Sequence, residues 1–163
     1  MSALAMGLLK KGCSVSGSDL VKNNETNKLE QLGAVIFTSQ VRQNIEFVIS
    51  KFTNKLINFV VSSAIKQENE EFSYCREKNL SIKHRSEILA MLMRTYTALA
   101  VAGSHGKTST STFLSTILEL CTHNSSSITG GIIPIYNSNC HLENTKYLVA
   151  EVDESDGTIN KYK

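Results

Sequence analysis

Residues 97–118 read "TALAVAGSHGKTSTSTFLSTIL", an apolar run followed by a Gly-Lys-Thr turn and a Ser/Thr-rich segment with helical apolar spacing. A strand, a glycine turn and a helix start bring backbone N–H groups and the positive end of the helix dipole to one point, where anions bind. Lys107 adds a positive charge, and the Thr108 hydroxyl can reach a Mg²⁺ ion. The stretch therefore predicts a site for the phosphates of a nucleotide.

The turn matches the common phosphate-binding pattern G-x-x-x-x-G-K-[ST] only in part, because Val101 stands where the first glycine is expected. The part that remains consists of Gly103, Ser104, His105, Gly106, Lys107 and Thr108. A glycine-capped surface turn before an ordinary helix is the alternative interpretation. The strand before the turn and the helical spacing after it favour nucleotide binding.

A bound metal needs a second ligand, and an acidic residue at the end of another strand is the usual choice. "YLVAEVDESDG" at residues 147–157 provides one, because Glu151 ends an apolar run. We therefore predict that Glu151 binds Mg²⁺. Asp153, Glu154 and Asp156 follow within five residues, and a solvated acidic loop is an equally good interpretation of these three.

Composition limits the class of protein. The chain has 163 residues, 41% of them hydrophobic and 20% charged, which is ordinary for a soluble globular protein. A net charge of +2 without a Lys/Arg run argues against nucleic acid as a partner. The four cysteines form no CxxC pair and are expected to be reduced and buried. The short apolar start predicts a helix, neither a signal peptide nor a membrane span, and indicates a cytoplasmic protein.

Strand and helix patterns alternate along the chain. Helices are predicted at residues 1–11, 25–32, 67–78 and 87–94, the last with Ser86 as its N-cap. Strands are predicted within residues 13–19, 34–37, 56–65, 80–84, 97–103 and 146–156. Residues 43–55 fit either an extra strand or a helical insertion. Repeated strand-helix units with continuous apolar strands predict an α/β fold with parallel sheets, in two units that meet near Thr95.

Five motifs occur in order: "SGSD", "VVSSAIK", "HRSEILAMLM", "AVAGSHGKTST" and "YLVAEVDESDGT". Together they resemble the Mur ligase family, and within it the branch that joins L-alanine to UDP-N-acetylmuramate. The shortened loop G-[ST]-H-G-K-T is that family's own version of the phosphate-binding motif, which accounts for Val101. The resemblance spans nearly the whole chain.

The resemblance implies a Rossmann-like UDP-sugar-binding domain at residues 1–95 and the beginning of an ATP-binding central domain at residues 96–163. It implies an ATP- and Mg²⁺-dependent ligase of peptidoglycan synthesis that forms an amide through an acyl phosphate. Lys107 would be catalytic, and Thr108 and Glu151 would bind Mg²⁺. ATP would contact Gly103, Ser104, His105, Gly106, Lys107, Thr108 and Ser109. The UDP sugar would contact Ser18, Asp19, Ser62, Ser63 and Arg85, although a solvated arginine at a helix start explains Arg85 equally well.

The family also opens with a strand and a glycine-rich loop ending in Gly-Met-Ser, and it continues well beyond the acidic motif. We therefore expect the 163 residues to be a fragment that is inactive alone and binds the UDP sugar weakly. The segment around residues 49–54 is a further departure from the family. Two other classes remain open: a small P-loop NTPase, and a non-catalytic remnant or one part of a split ligase.

Overall fold

The computed structural model describes residues 1–122 and 124–153, and it is an α/β protein. The helices are α1 (Ser2–Lys10), α2 (Asn24–Gln31), α3 (Arg42–Lys51), α4 (Glu70–Glu77), α5 (Arg85–Met93) and α6 (Lys107–Thr122). The strands are β1 (Ser16–Ser18), β2 (Val35–Phe37), β3 (Phe59–Val61), β4 (Ile82–His84), β5 (Thr97–Val101), β6 (Ser126–Ile133), β7 (Ser138–His141) and β8 (Tyr147–Glu151). A short 3₁₀ helix, Pro134–Tyr136, connects β6 to β7.

Contacts divide the chain into two compact units, with the division between Arg85 and Ser86. In the first unit β1 pairs with β2 and β3 pairs with β4, and both pairs are parallel. A helix joins the strands of each pair, as parallel pairing requires. The predicted fold class is confirmed. The assignment of residues 1–95 and 96–163 to separate functional domains stays a prediction.

Local signals set the helix boundaries of the first unit. The Asn23 side chain accepts hydrogen bonds from the N–H groups of Glu25 and Thr26, and the Thr26 hydroxyl accepts one from the Asn23 N–H, which starts α2. Gly12 and Gly33 follow α1 and α2 with φ of 81° and 93°, the left-handed conformation that favours glycine after a helix. Residues 43–51 of the segment that the sequence left open lie in α3, so this part of the segment is helical.

The second unit is built on one four-stranded sheet in the order β5-β8-β6-β7. β8 lies between β5 and β6 and is parallel to both, whereas β7 runs antiparallel to β6. Leu148, Val149 and Ala150 of β8 are all completely buried. Since successive residues of a strand point to opposite faces, both faces of the centre of this sheet are covered.

The structure corrects two expectations and adds one element. Ser86 is not an N-cap, because α5 begins at Arg85 directly after β4 and Ser86 is buried inside its first turn. All four cysteines are free, but only Cys75 and Cys140 are buried; Cys13 follows α1 and Cys121 lies in the last turn of α6, and both are exposed. The β6–β7 hairpin was not predicted. Within the described residues, no helix is long and apolar enough to cross a membrane.

Polar contacts anchor the C-terminal part of α6 to the sheet. The Glu119 carboxylate accepts hydrogen bonds from the Ser125 N–H and the Tyr136 hydroxyl, both at 2.9 Å. The Tyr136 ring stacks on His141 at a centroid distance of 4.0 Å. Burial alone would raise the pKa of Glu119, but the bonds from Ser125 and Tyr136 outweigh it and lower that pKa. Burial raises the pKa of Tyr136 to about 12, so its hydroxyl stays a donor.

We expect Tyr136→Phe to destabilise the protein by about 1 kcal/mol at neutral pH, because the Glu119 carboxylate loses a donor. Glu119 titrates below its unfolded value of 4.5, so its contribution is present above that pH and is lost as the pH falls through the folded pKa. The cost of Tyr136→Phe should therefore shrink in acid. Urea unfolding at neutral pH and at about pH 3, followed by circular dichroism, measures both effects. Tyr147→Phe is the control, and an equal cost at both pH values would contradict the role of Glu119.

Candidate functional site

The loop between β5 and α6 contains two glycines that its conformation requires. Gly103 has a φ of 147° and Gly106 a φ of 76°, values that residues with a side chain rarely adopt. Between them, Ser104 and His105 are exposed. The loop thus follows a path that leaves its backbone open to a ligand.

The first turn of α6 follows this loop directly. The helix begins at Lys107. The Thr110 N–H donates to the carbonyl of Gly106, the residue before the helix, at 2.9 Å. The N–H groups of a first helical turn have no acceptor within the helix, so together with the helix dipole they attract an anion. The Lys107 ammonium folds back and donates to the Gly103 carbonyl at 2.7 Å. The Lys107 ammonium and the N–H groups of the first turn of α6 therefore lie together at this loop.

Sheet register brings the predicted metal ligands together. Glu151, the last residue of β8, pairs with Val101, the last residue of β5, and the Val152 N–H donates to the Val101 carbonyl at 3.0 Å. The Thr108 hydroxyl lies 3.1 Å and 3.3 Å from the two Glu151 carboxylate oxygens. Residues that are far apart in sequence thus meet because β5 and β8 are parallel neighbours.

The chemistry of these two side chains fits Mg²⁺. A hydroxyl and a carboxylate are hard oxygen ligands, and Mg²⁺ in nucleotide sites is commonly held by one or two protein oxygens together with phosphates and waters. Among the described residues there is no group of three or more His, Cys, Asp or Glu that would form a complete metal cage. Thr108 and Glu151 therefore suit an ion that arrives with a nucleotide.

Two residues of this site were missed by the sequence analysis, Gly130 and Gly131 of β6. The Gly130 N–H donates to the Glu151 carboxylate at 2.9 Å. A Cβ atom on Gly131 would lie 2.8 Å from the Thr108 methyl carbon. The only signal in the sequence is a glycine pair inside an apolar run, which marks a bulge or a close approach without saying of what.

Of the other residues that the sequence analysis named, Ser109 and Asp153 lie within the described part of the chain. Ser109 is exposed on α6, and Asp153 is half-buried two residues beyond β8. Glu154 and Asp156 lie outside the described residues.

Among the predicted UDP-sugar contacts, Ser18 and Asp19 lie at the carboxyl end of β1. The Ser18 hydroxyl donates to the Glu71 carboxylate at 2.5 Å, and the Asn44 side chain donates to the other Glu71 oxygen at 2.7 Å. Asp19 is exposed, and its carboxylate accepts from the Val21 N–H at 3.0 Å. Ser18 is thus tied to α4, whereas Asp19 stabilises a local turn.

Ser62, Ser63 and Arg85 follow the carboxyl ends of β3 and β4. The Ser63 hydroxyl lies 3.1 Å from the His84 Nε2 atom, so the two strand ends are in direct contact; His84 was not predicted. Burial, and then the charge of Arg85, lower the pKa of the Met1 amino group, which places Arg85 near the start of α1. Ser63 is therefore in contact with His84, whereas Ser18 is hydrogen-bonded to Glu71.

An open groove of about 390 Å³ lies elsewhere in the first unit. It is lined by the end of α1, the segments that lead into β1 and β2, and the C-terminal part of α3. It contains none of the predicted site residues.

Comparisons with known proteins agree with the resemblance. A family model described as "Mur ligase family, catalytic domain" matches residues 1–97. The chain is 72% identical over 162 residues to a UDP-N-acetylmuramate--L-alanine ligase of Prochlorococcus marinus subsp. pastoris, covering 99% of this chain and 34% of that protein. It is 44% identical to the protein of the same name from a Synechococcus strain, again covering 34% of it. The chain thus spans about a third of the length of the curated relatives it matches.

Solved structures show the same fold. The crystal structure of a UDP-N-acetylmuramate:L-alanyl-gamma-D-glutamyl-meso-diaminopimelate ligase from Neisseria meningitides superposes with a TM-score of 0.84 at 22% identity, over 94% of this chain and 49% of that one. A UDP-N-acetylmuramate-alanine ligase from Thermotoga maritima superposes with a TM-score of 0.82 at 23% identity, over 99% of this chain and 36% of that one.

Proposed function

The chain belongs to the Mur ligase family, and from that premise we propose that its second unit binds ATP and Mg²⁺ for the ligation of UDP-N-acetylmuramate to L-alanine. The observation that carries the proposal is the contact of Thr108 with Glu151 beside the Gly103–Lys107 loop. A positive charge, N–H donors and two hard oxygen ligands converge there. The proposed compartment is the cytoplasm, where ATP and the nucleotide sugar are found.

The proposed reaction explains why this chemistry is needed. A carboxylate is a poor electrophile, because its charge is delocalised and its leaving group would be an oxide. Transfer of a phosphoryl group from ATP to the carboxylate forms an acyl phosphate, and attack by the amine then forms the amide and releases phosphate. Such a transfer depends mainly on positioning and on neutralising negative charge.

Each residue of the loop has a distinct part in this proposal. The Lys107 ammonium moves from the Gly103 carbonyl to phosphate oxygens, exchanging a neutral acceptor for an anionic one. N–H groups of the loop and of the first turn of α6 hold the phosphates in place. The Thr108 hydroxyl and the Glu151 carboxylate hold Mg²⁺, which neutralises phosphate charge when bound.

We propose that the first unit contributes to the binding of the UDP sugar. Ligands of open α/β sheets bind outside the carboxyl ends of the strands, where Ser18, Asp19, Ser62, Ser63 and Arg85 lie. The contact between Ser63 and His84 supports a shared site at the ends of β3 and β4 and adds His84 to it. The Ser18 hydroxyl would have to leave Glu71 to contact the ligand.

Because the chain corresponds to about a third of its relatives' length, we propose that it acts with further ligase sequence, in the same or in a separate polypeptide. That sequence would supply the L-alanine site. The 163 residues assayed alone are then expected to bind ATP without ligating.

Calorimetric titration with ATP, in Mg²⁺ and in EDTA, tests the proposal together with a phosphate-release assay containing UDP-N-acetylmuramate and L-alanine. We expect ATP binding that is stronger in Mg²⁺ and no release that depends on L-alanine. No binding in either buffer would contradict the nucleotide site. Release stimulated by L-alanine would contradict the need for further sequence, and release from ATP alone would favour a small P-loop NTPase.

A further inference from the structure

Gly130 and Gly131 belong to an irregular part of β6. Ile128 pairs with Cys140 and Ile133 pairs with Ser138, so residues 129–132 of β6 lie opposite the single residue Asn139 of β7. We call residues 129–132 the β6 bulge. The buried Thr129 hydroxyl donates to the Gly131 carbonyl at 2.7 Å, which fixes the shape of the β6 bulge from within. Such bulges redirect the backbone of one strand toward a neighbouring group.

The backbone of the β6 bulge does not itself demand glycine. Neither Gly130 nor Gly131 has a φ in the left-handed region, so alanine is compatible with the backbone at both positions. An added side chain would instead crowd the residues of the site, most tightly at Gly131. A Cβ on Gly130 would lie 3.1 Å from a Glu151 carboxylate oxygen, and a Cβ on Gly131 would lie 2.8 Å from the Thr108 methyl carbon.

The contact at Gly131 bears on the orientation of Thr108. The methyl and hydroxyl of a threonine are fixed relative to each other on Cβ, so the position of one determines that of the other. In this structure the methyl faces Gly131 while the hydroxyl faces the Glu151 carboxylate. A side chain at residue 131 would push the methyl away and turn the hydroxyl off Glu151.

We propose that the glycine pair of the β6 bulge positions both metal ligands: Gly131 sets the rotamer of Thr108 by leaving room for its methyl, and the Gly130 N–H holds the Glu151 carboxylate in place. Both would act as positioning residues, because their contacts are with the Thr108 and Glu151 side chains. The inference rests on the proposed function, because it concerns the geometry of the Mg²⁺-ATP site.

The test uses Gly131→Ala alone and in combination with Thr108→Ser, which keeps the hydroxyl and removes the methyl. Gly131→Ala is expected to weaken ATP binding in Mg²⁺ by roughly tenfold, the scale of an overpacked contact. Added to Thr108→Ser, the same substitution is expected to change the affinity by less than about twofold, because no methyl remains to be displaced. Gly17→Ala is the matched control, since Gly17 has no atom within 4 Å of an added Cβ and no left-handed φ.

A second measurement needs no nucleotide. The ¹³C shift of the Thr108 methyl reports its rotamer, and we expect it to change in Gly131→Ala and not in Gly17→Ala. An unchanged methyl shift, wild-type affinity of Gly131→Ala in Mg²⁺, or an equal loss from Gly131→Ala with and without Thr108→Ser would each overturn the inference. Failure of the wild-type protein to bind ATP would overturn the proposed function instead, and the methyl shift would still report whether Gly131 sets the rotamer.

Discussion

Lys107→Ala is expected to lower the affinity for ATP by roughly ten- to hundredfold, because a charge-assisted hydrogen bond to phosphate contributes about 1.5–3 kcal/mol. The Lys107 ammonium already lies on the loop, 2.7 Å from the Gly103 carbonyl, so little rearrangement is needed for it to reach a phosphate held there. The loss should appear with and without Mg²⁺, since Lys107 contacts the phosphates directly in the proposed site. Calorimetric titration or displacement of a fluorescent ATP analogue measures it.

Lys146→Ala is the matched control for this loss. It removes the same charge from the same unit, but Lys146 is exposed and precedes the start of β8, at the opposite end of that strand from Glu151. If the two variants bound ATP with equal affinity, the loss caused by Lys107→Ala would reflect only the change in net charge, and Lys107 would have no specific contact with the phosphates. Unfolding curves should show that Lys107→Ala stays folded. The hydrogen bond that this variant loses, from the Lys107 ammonium to the Gly103 carbonyl, lies in a loop.

The strand, glycine turn and helix start around the Gly103–Lys107 loop were predictable from sequence because each of these features is local. An apolar strand, two glycines and a helix start follow one another within residues 97–118, and each has a steric or electrostatic reason that depends on near neighbours alone. The structure adds the left-handed φ at Gly103 and Gly106 and the bond from Lys107 to the loop. The position of Glu151 beside this loop was predictable for a related reason, because an acidic residue that ends an apolar strand falls at the carboxyl edge of a parallel sheet.

The glycine pair and the β6–β7 hairpin were not predictable in this way. "SSSITGGII" at residues 125–133 begins with three serines, which are typical of loops, yet Ser125, Ser126 and Ser127 are completely buried. Their strand is stabilised by distant partners; for example, the Ser126 hydroxyl lies 3.0 Å from that of Thr145. The role of Gly131 depends likewise on Thr108, which only the sheet register brings close.

The largest effect on metal dependence is expected from Glu151→Gln, which removes the charge while keeping an acceptor for the Gly130 N–H. In Mg²⁺, ATP binding should weaken by about tenfold or more as the carboxylate ligand is lost. In EDTA the same substitution should strengthen ATP binding. A carboxylate 3.1 Å from the Thr108 hydroxyl repels metal-free ATP, whereas its neutral replacement does not. The ratio of the affinities in Mg²⁺ and in EDTA therefore measures the role of Glu151.

Two further variants test whether the effect of Glu151→Gln comes from the loss of a metal ligand. Glu143→Gln removes the same charge from an exposed position before β8 and should leave the Mg²⁺ to EDTA ratio unchanged. Thr108→Ala should also lose binding in Mg²⁺, but it removes no negative charge and should bring no gain in EDTA. If Glu151→Gln weakened ATP binding equally in both buffers, Glu151 would act by supporting the loop and not as a metal ligand. A gain in EDTA with a loss in Mg²⁺ requires a carboxylate that faces the phosphates and is neutralised by the ion.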